Sequence, residues 1–439
     1  MVEPKAISGF WENLPEQQLV EEKFKEIIKK NYANSGFTPL DTPVVERLDA
    51  LTAKWADDNE IYGVHRINGE SEDAQLGLRF DLTVPFARYV SQHQGVLAFP
   101  FKRQHIARVY RWERPQKGRY REFYQADVDI IGNQTLSLFA DVEVLSTIYN
   151  SLKDLDFGDF VMHINNKKFL AGYLSSLGIQ KIPETISVID KKDKVRSIKP
   201  MLEELSLEES QIENILEFVK NAETKNSQEI LEIYKNISNE LFQDGLEELK
   251  YVYSHLLQLW VEEKSIKINP AISRGLNYYT GTVFETFISG AETMWSVGSW
   301  GRYENLCGNF TDKPFPGVWG SIGLSRIIAV LQHLKNKSVE TFQKTTTQVL
   351  VLNMDENLLF DTLDIVKNLR EKNIPTEIYL QAGAKFKKQF KYADNKKIPF
   401  VVIFGEDEKE KWIVQIKKLE NGEQKEAKIT EISEVIQSF

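Results

Sequence analysis

The sequence predicts an α+β fold: an antiparallel-sheet domain interrupted by a helical insertion and followed by a small α/β domain. Three observations lead there. Residues 37–131 consist of short alternating segments rich in aromatic and β-branched residues. Residues 168–263 are charged and helix-favouring, with amphipathic stretches at 211–219 and 229–234. After a polar stretch without periodicity, apolar strands at 349–352 and 400–404 alternate with amphipathic helices at 358–369 and 386–392.

Each element follows from its residues. Leu19, Val20, Phe24, Ile27 and Ile28 recur at helical spacing and stop at Gly36, which predicts an opening helix. Strand texture returns at 272–287 and runs on, with glycines, to a helix starting near 322. The expected domains are 1–167 and 264–335 as two parts of one domain, 168–263 as its insertion, 336–347 as a linker and 348–439 as the last domain.

Composition narrows the function classes. Hydrophobic residues at 42% and charged residues at 27% suit a water-soluble globular chain, and no apolar run reaches the roughly 18 residues of a membrane span. The N-terminus lacks the charged-then-greasy pattern of a secretory leader. One cysteine, Cys307, permits neither an internal disulfide nor a cysteine-rich zinc site and fits a reducing, cytoplasmic setting. A net charge of −9 argues against a nucleic-acid coat while allowing a local basic surface. No phosphate loop, dinucleotide glycine motif or HExxH helix occurs, and His65, His93, His105, His163, His255 and His333 lack ligand spacing. They read as surface or packing histidines.

The chemistry concentrates in two segments. In LRFDLTVPF, read as a strand, Arg79, Asp81 and Thr83 share one face; in EFYQADVDII, Phe123, Gln125, Asp127 and Asp129 do. A sheet with one solvated side accounts for the same alternation. Between them runs VYRWERPQKGRYREFYQ, carrying Arg111, Arg114, Lys117, Arg119 and Arg121. Cations beside carboxylates on a sheet face suit a ligand with phosphates at one end and an amine or imidazole at the other.

VYRWERPQKGRYREFYQADVDIIG resembles motif 2 of class II aminoacyl-tRNA synthetases in its histidyl form, and AISRGLNYYTGTVFE resembles the histidine-specific signature of that subgroup. GFTPLDTPVVE resembles motif 1, GVWGSIGLSRI motif 3, and KFKKQFKYADNKKIPFVVIFGEDE part of the family's anticodon-binding domain, all in the family's order. The resemblance implies a class II antiparallel-sheet catalytic domain and a dimer built through motif 1. It also implies an activity: histidine is activated by ATP with Mg2+ and passed to tRNA(His). By the same resemblance Arg111 and Arg274 act at the reacting phosphate; Glu113, Arg119, Phe123 and Arg326 complete the ATP site. Asp81, Thr83 and Gln125 hold the amino end of L-histidine, Asp129 and Tyr279 read its imidazole, and Tyr278 and Tyr303 line the pocket. Phe123 and Tyr278 could equally be core aromatics. Arg114 and Gln116 are expected at the acceptor end of tRNA. Lys387 and Lys391 lie in a lysine–aromatic stretch that is either a tRNA contact or an ordinary solvated helix face. The chain departs from the family pattern at Asn277, Trp300 and Ser325. A regulatory subunit that keeps the fold but loses catalytic groups, or a sensing module fused to an effector, fits less well, since the catalytic groups and last domain are kept and no effector sequence is present.

Overall fold

The computed structural model describes residues 1–52, 60–68, 75–116, 118–192, 195–272, 279–291, 296–335 and 344–439, with Trp300 by its backbone alone. Two compact units emerge, Met1–Glu12 with Lys23–Glu340, and Asn13–Glu22 with Thr341–Phe439.

The opening helix is α1, Pro15–Asn34. Phe24 and Ile28 are buried, as their spacing predicts, and the helix ends where Gly36 turns left-handed at φ 77°. In the first unit, strands β1 (Thr38–Pro39), β2 (Val45–Arg47), β3 (Gly63–Val64) and β4 (Leu76–Leu78) precede helix α2 (Thr83–His93) and the long strands β5 (Phe101–Tyr110) and β6 (Glu122–Ile131). Then come α3 (Phe139–Asp154), β7 (Phe160–Asn166), six helices among the described residues from Lys167 to Gln258, β8 (Ile266–Ile268), β9 (Thr282–Ile288), β10 (Gly298–Tyr303), β11 (Gly317–Gly323) and α4 (Leu324–His333). Among the described residues eight strands form one sheet in the order β1-β5-β6-β11-β10-β9-β7-β8, antiparallel except where β1 meets β5 and β7 meets β8. The α+β prediction holds: a largely antiparallel sheet, helices inserted between β7 and β8, and a second layered unit.

The expectation that LRFDLTVPF is a strand is corrected. The strand stops at Leu78 and α2 begins at Thr83. The Asp81 carboxylate accepts the Val84 N–H at 3.0 Å, and Pro85 falls in the first turn, where a missing N–H has no cost. Arg79, Asp81 and Thr83 therefore do not share a strand face. Likewise the strand texture expected from 272 begins at Thr282; residues 273–278 lie outside the described residues, as do 336–343 of the expected linker.

Three of the helices described between β7 and β8 are started by asparagine caps. Asn166 accepts the Lys168 N–H at 2.9 Å, Asn239 that of Phe242 at 3.0 Å, and Asn226 and Glu229 cap each other reciprocally.

In the second unit β12 (Val349–Val351), β13 (Thr376–Ile378), β14 (Phe400–Ile403), β15 (Ile413–Lys418) and β16 (Gln424–Lys428) order as β13-β12-β14-β15-β16, parallel through β14 and antiparallel beyond. Successive β12 residues feed opposite cores. Val349 and Val351 pack with Ile365 and Leu369 of the Leu359–Glu371 helix, whereas Leu350 packs with Ala393 of the Phe386–Asn395 helix.

Candidate active site

Strand register brings the polar residues together. Across the sheet Arg103 stands opposite Asp129, which stands opposite Trp319; one step along, His105, Asp127 and Ser321 form the next row, and Ala107, Gln125 and Gly323 the one after. Directly opposed residues share a face, so one sheet face carries Gln125, Asp127 and Asp129 in line. That face is covered: Asp127 and Asp129 are fully buried, which removes the solvated-side reading of β6.

A cleft of about 300 Å³ opens on this face. Its walls include Arg111, Glu113, Arg119 and Phe123 from the end of β5, the connecting loop and the start of β6. Gln125, Tyr279, Ser299, Trp319, Ser321 and Arg326 complete them. Tyr279 is admitted by Gly301, where a Cβ would come within 2.6 Å of the ring. Arg111 follows β5 directly; its Nε donates to the Phe80 carbonyl at 2.9 Å, and its guanidinium lies 5.3 Å from the Phe123 ring centre. It is thus held by the protein rather than unpaired on a strand. Glu113 is ion-paired with Arg119 and lies 3.9 Å from Arg111. Arg326, on the first turn of α4, donates to the Ser296 carbonyl at 2.7 Å and the Gly118 carbonyl at 3.2 Å, closing the opposite wall. Ser325, one of the departures from the family pattern, accepts the Tyr124 N–H at 3.0 Å and fixes α4 to β6.

Behind the cleft lies the charge cluster. Arg103, which sequence reasoning passed over, is fully buried with its Nε 2.7 Å from Asp129, its Nη2 donating to Leu82 O at 2.9 Å, and its guanidinium 4.4 Å from the Phe86 ring centre. The usable signal was the two-residue spacing of Arg103 and His105, which puts both on one face of the strand FKRQHIARVY. Burial pushes the Asp127 carboxyl up to about 8 and Asp129 up to about 6, against the opposing pull of Arg103. Burial also drives His105 down to about 3, with Arg103 and Arg79 adding to the fall, so this histidine is neutral and packs against Asp41 at 2.7 Å.

Several buried polar atoms here accept or donate no hydrogen bond: Thr83 Oγ1, Gln125 Oε1, Tyr303 Oη and Trp319 Nε1. Tyr303 packs with Tyr279 and Trp319 in one cluster. Asp81 is only half-buried and is engaged as the α2 cap. Arg274, Tyr278, Asn277 and Lys117 lie outside the described residues, as does the Trp300 side chain. Arg114 and Gln116 are exposed on the loop away from the buried row. Lys387 and Lys391 belong to the second unit, exposed one turn apart on the Phe386–Asn395 helix. Ser296, Ser299, Ser321 and Trp319 were missed; small residues in SVGS and GVWGSIG gave little signal beyond alternation.

Comparison with known proteins bears on the whole chain. The family model described as histidyl-tRNA synthetase matches residues 9–327, and the model described as anticodon binding domain matches 348–439. The chain is 41% identical to the histidine–tRNA ligase of Clostridium tetani, covering 100% of this chain and 99% of that protein. It is also 41% identical to that of Finegoldia magna, covering 99% of each. The crystal structure of histidyl-tRNA synthetase from Nostoc sp. PCC 7120 superposes with a TM-score of 0.91 at 36% identity over 100% of both chains. An ATP phosphoribosyltransferase regulatory subunit/histidyl-tRNA synthetase structure from Bacillus halodurans shares the fold, with a TM-score of 0.74 at 18% identity, over 90% of this chain and 97% of that one.

Proposed function

The chain belongs to the histidyl-tRNA synthetase family and catalyses the histidine–tRNA ligase reaction, and from that premise we propose how its side chains divide the work. The reaction takes ATP and L-histidine to histidyl-adenylate and pyrophosphate, then moves the histidyl group to the 3′ end of tRNA. The arginine-lined part of the cleft takes the nucleotide: Phe123 stacks on adenine, Glu113 accepts from its amino group, and Arg119 and Arg326 hold phosphates. Arg111 contacts the α-phosphate, with Arg274 on the same phosphate by family resemblance. The buried row takes histidine. Gln125 and Thr83, with Asp81, receive the ammonium; Asp129 and Tyr279 hold the two ring nitrogens, and Tyr303 and Tyr278 close the pocket.

The observation that carries this reading is the cluster of partnerless buried polar atoms beside the cleft. Native proteins leave few such atoms, and a polar ligand with donors at both ends supplies what they lack. The carboxylate of histidine attacks the α-phosphorus, pyrophosphate leaves, and no protein nucleophile is required. Positioning and charge stabilisation by Arg111 then account for catalysis. Among the described residues no group of three His, Cys, Asp or Glu side chains is placed to hold a metal ion. Magnesium is therefore read as arriving on the triphosphate of the substrate, and no step is assigned to it.

The catalytic domain is read as 1–167 and 264–335 around the insertion 168–263, linked through 336–347 to the anticodon-binding domain 348–439. Arg114 and Gln116 are proposed at the tRNA acceptor end and Lys387 and Lys391 on its backbone. A homodimer through the segment resembling motif 1, in a cytoplasmic setting, completes the reading; light scattering should give about twice the 50.7 kDa chain mass. No helix among the described residues is long and apolar enough to cross a membrane. The deciding experiment is histidine-dependent ATP–pyrophosphate exchange with Gln125→Ala alongside. Exchange is expected only with histidine, and a Gln125→Ala protein with unaltered histidine dependence rejects the pocket assignment.

A further inference from the structure

Residues 8–11, just ahead of α1, lie against the loop that forms one wall of the cleft. The Gly9 carbonyl accepts the backbone N–H of Arg121 at 2.8 Å and that of Glu122 at 3.4 Å. The Ser8 carbonyl accepts from Arg121 Nη1 at 3.4 Å. Trp11 meets Tyr120 with ring centres 5.8 Å apart, and Phe10 meets Tyr62 at 6.2 Å, which in turn lies edge-on to Trp112 at 5.3 Å. The segment therefore touches the base of the loop through backbone hydrogen bonds and its flank through aromatic rings.

Arg121 carries the contact inward. Its Nε donates to the Glu113 carbonyl at 2.9 Å, and its guanidinium lies 4.1 Å from the Trp112 ring centre. Glu113 is thus gripped by its backbone from one side while its carboxylate faces the cleft and pairs with Arg119 on the other. Among the described residues of 111–121, the loop's backbone bonds to itself are Arg111 N–H to Arg121 O at 2.8 Å, Glu113 N–H to Arg111 O at 2.8 Å, and the Gln116–Arg119 pair. A connection so lightly bonded to itself has many accessible conformations, and a ligand that needs one of them binds more weakly in proportion to the fraction lost. The fit at Gly9 is tight. Its φ is 87°, and a Cβ there would lie 2.9 Å from both Arg121 Cγ and Pro115 Cγ.

We propose that residues 8–11 are a strap that holds the cleft-facing loop in its nucleotide-binding shape, with Arg121 as the positioning residue that passes the restraint to Glu113. This rests on the reading that Glu113 and Phe123 face the adenine. Gly9→Val should lift the strap, both by backbone strain and by collision with Arg121. The expected result is a rise in the KM for ATP of roughly three- to tenfold, the range of one net hydrogen bond, with the KM for histidine unchanged. The amides of Arg121 and Glu122 should exchange hydrogen faster. Because both residues act in one connection, adding Arg121→Ala to Gly9→Val should cost less than about a further twofold. Arg121→Lys, which keeps the charge but not the planar fork, should fall between wild type and Arg121→Ala.

Trp11→Ala removes a half-exposed ring without straining the backbone and decides the matter if Gly9→Val does not fold; the same two readouts should move by a smaller factor. An unchanged KM for ATP despite faster amide exchange overturns the strap, as does an equal rise in both KM values, or multiplication of the two variants' effects. Phe123→Ala runs in parallel as the control on the underlying reading. If it too leaves the ATP dependence unmoved, the nucleotide assignment has failed rather than the strap.

Discussion

Replacing Asp129 by alanine separates its ion pair with Arg103 from the contact with substrate proposed for it. Within the protein, Asp129 lies 2.7 Å from Arg103 and both side chains are fully buried. Orphaning a buried guanidinium costs about 3–5 kcal/mol when nothing replaces the partner. Asp127 offsets part of that cost: burial first, and then the Asp129 charge, hold its carboxyl up to about 8 against the pull of Arg103, so removing Asp129 shifts it toward ionisation. The expected net loss of stability is then about 1–3 kcal/mol. Toward substrate, a hydrogen bond to a charged carboxylate is worth about 1.5–3 kcal/mol, or roughly 10- to 100-fold in the KM for histidine. The KM for ATP should move by less than about twofold, since Arg111, Glu113 and Phe123 line the cleft whereas Asp129 lies behind it with Arg103. The assay is pyrophosphate exchange with histidine and ATP varied separately, on protein whose fold is checked by circular dichroism and whose stability is read by urea unfolding. Parallel losses in both KM values, or stability loss with intact histidine dependence, would reduce Asp129 to a structural partner of Arg103 and refute the reasoning.

Arg111→Ala should lower the rate of adenylate formation by roughly 10²–10³ with little change in histidine affinity; a single-turnover loss below about tenfold contradicts the phosphate role. For pH, the folded Asp127 and Asp129 carboxyls, at about 8 and about 6, hold protons that the unfolded chain releases near 3.8. Their contribution to stability is therefore full below about pH 4 and is lost as pH rises to about 6 for Asp129 and about 8 for Asp127, by at most about 1.4 kcal/mol per unit for each proton. Asp127→Asn should flatten the upper part of that fall in urea midpoints, and a wild-type midpoint that climbs over the same range contradicts it. Replacing Lys387 and Lys391 together should reduce the salt slope of tRNA binding by roughly 1.4–1.8, whereas an unchanged slope leaves them as solvation. Tyr303→Phe should leave the unliganded protein as stable or more so while raising the KM for histidine several-fold, roughly the loss of one hydrogen bond. A stability loss above about 1 kcal/mol would mean that the hydroxyl has a protein partner.

The legible parts of the sequence were those whose period matched their surroundings. EFYQADVDII alternates and is a strand; the 349–404 stretch alternates strand and helix as read. LRFDLTVPF misled because Asp-x-Thr-Val-Pro satisfies two patterns at once, a two-residue alternation and the start of a helix, and tertiary contact decided between them: Arg103 anchors the Leu82 carbonyl at 2.9 Å and Asp81 caps Val84. The hairpin β15–β16, IVQIKK and QKEAK, was missed because lysines and glutamates hide the alternation of Val414, Ile416 and Ala427 into the core. The strap was invisible for a different reason. Its contacts with the loop at 120–122 span more than a hundred residues of sequence and run mostly through backbone atoms, which carry no residue-specific signal.

The same sheet face explains why the site is costly to maintain and why it works. Each buried polar atom without a partner costs about 1–3 kcal/mol, and the free chain has such atoms at Gln125, Trp319 and Tyr303 on three adjacent strands. Scattered through a core they would be defects; set along adjacent strands, they are fixed by the register that also orders the sheet. Gly301 and Gly317 follow the same logic: a side chain at either would occupy the space of the Tyr279 or Tyr303 ring. Rigid strands thus keep the polar row at fixed spacing, so little reorganisation remains when a ligand enters. The opposite wall depends on a loop between two strands, whose geometry must come from outside itself. In the proposed division, the amino acid is read where the backbone cannot move, and the nucleotide is held where an external restraint sets how much movement is allowed.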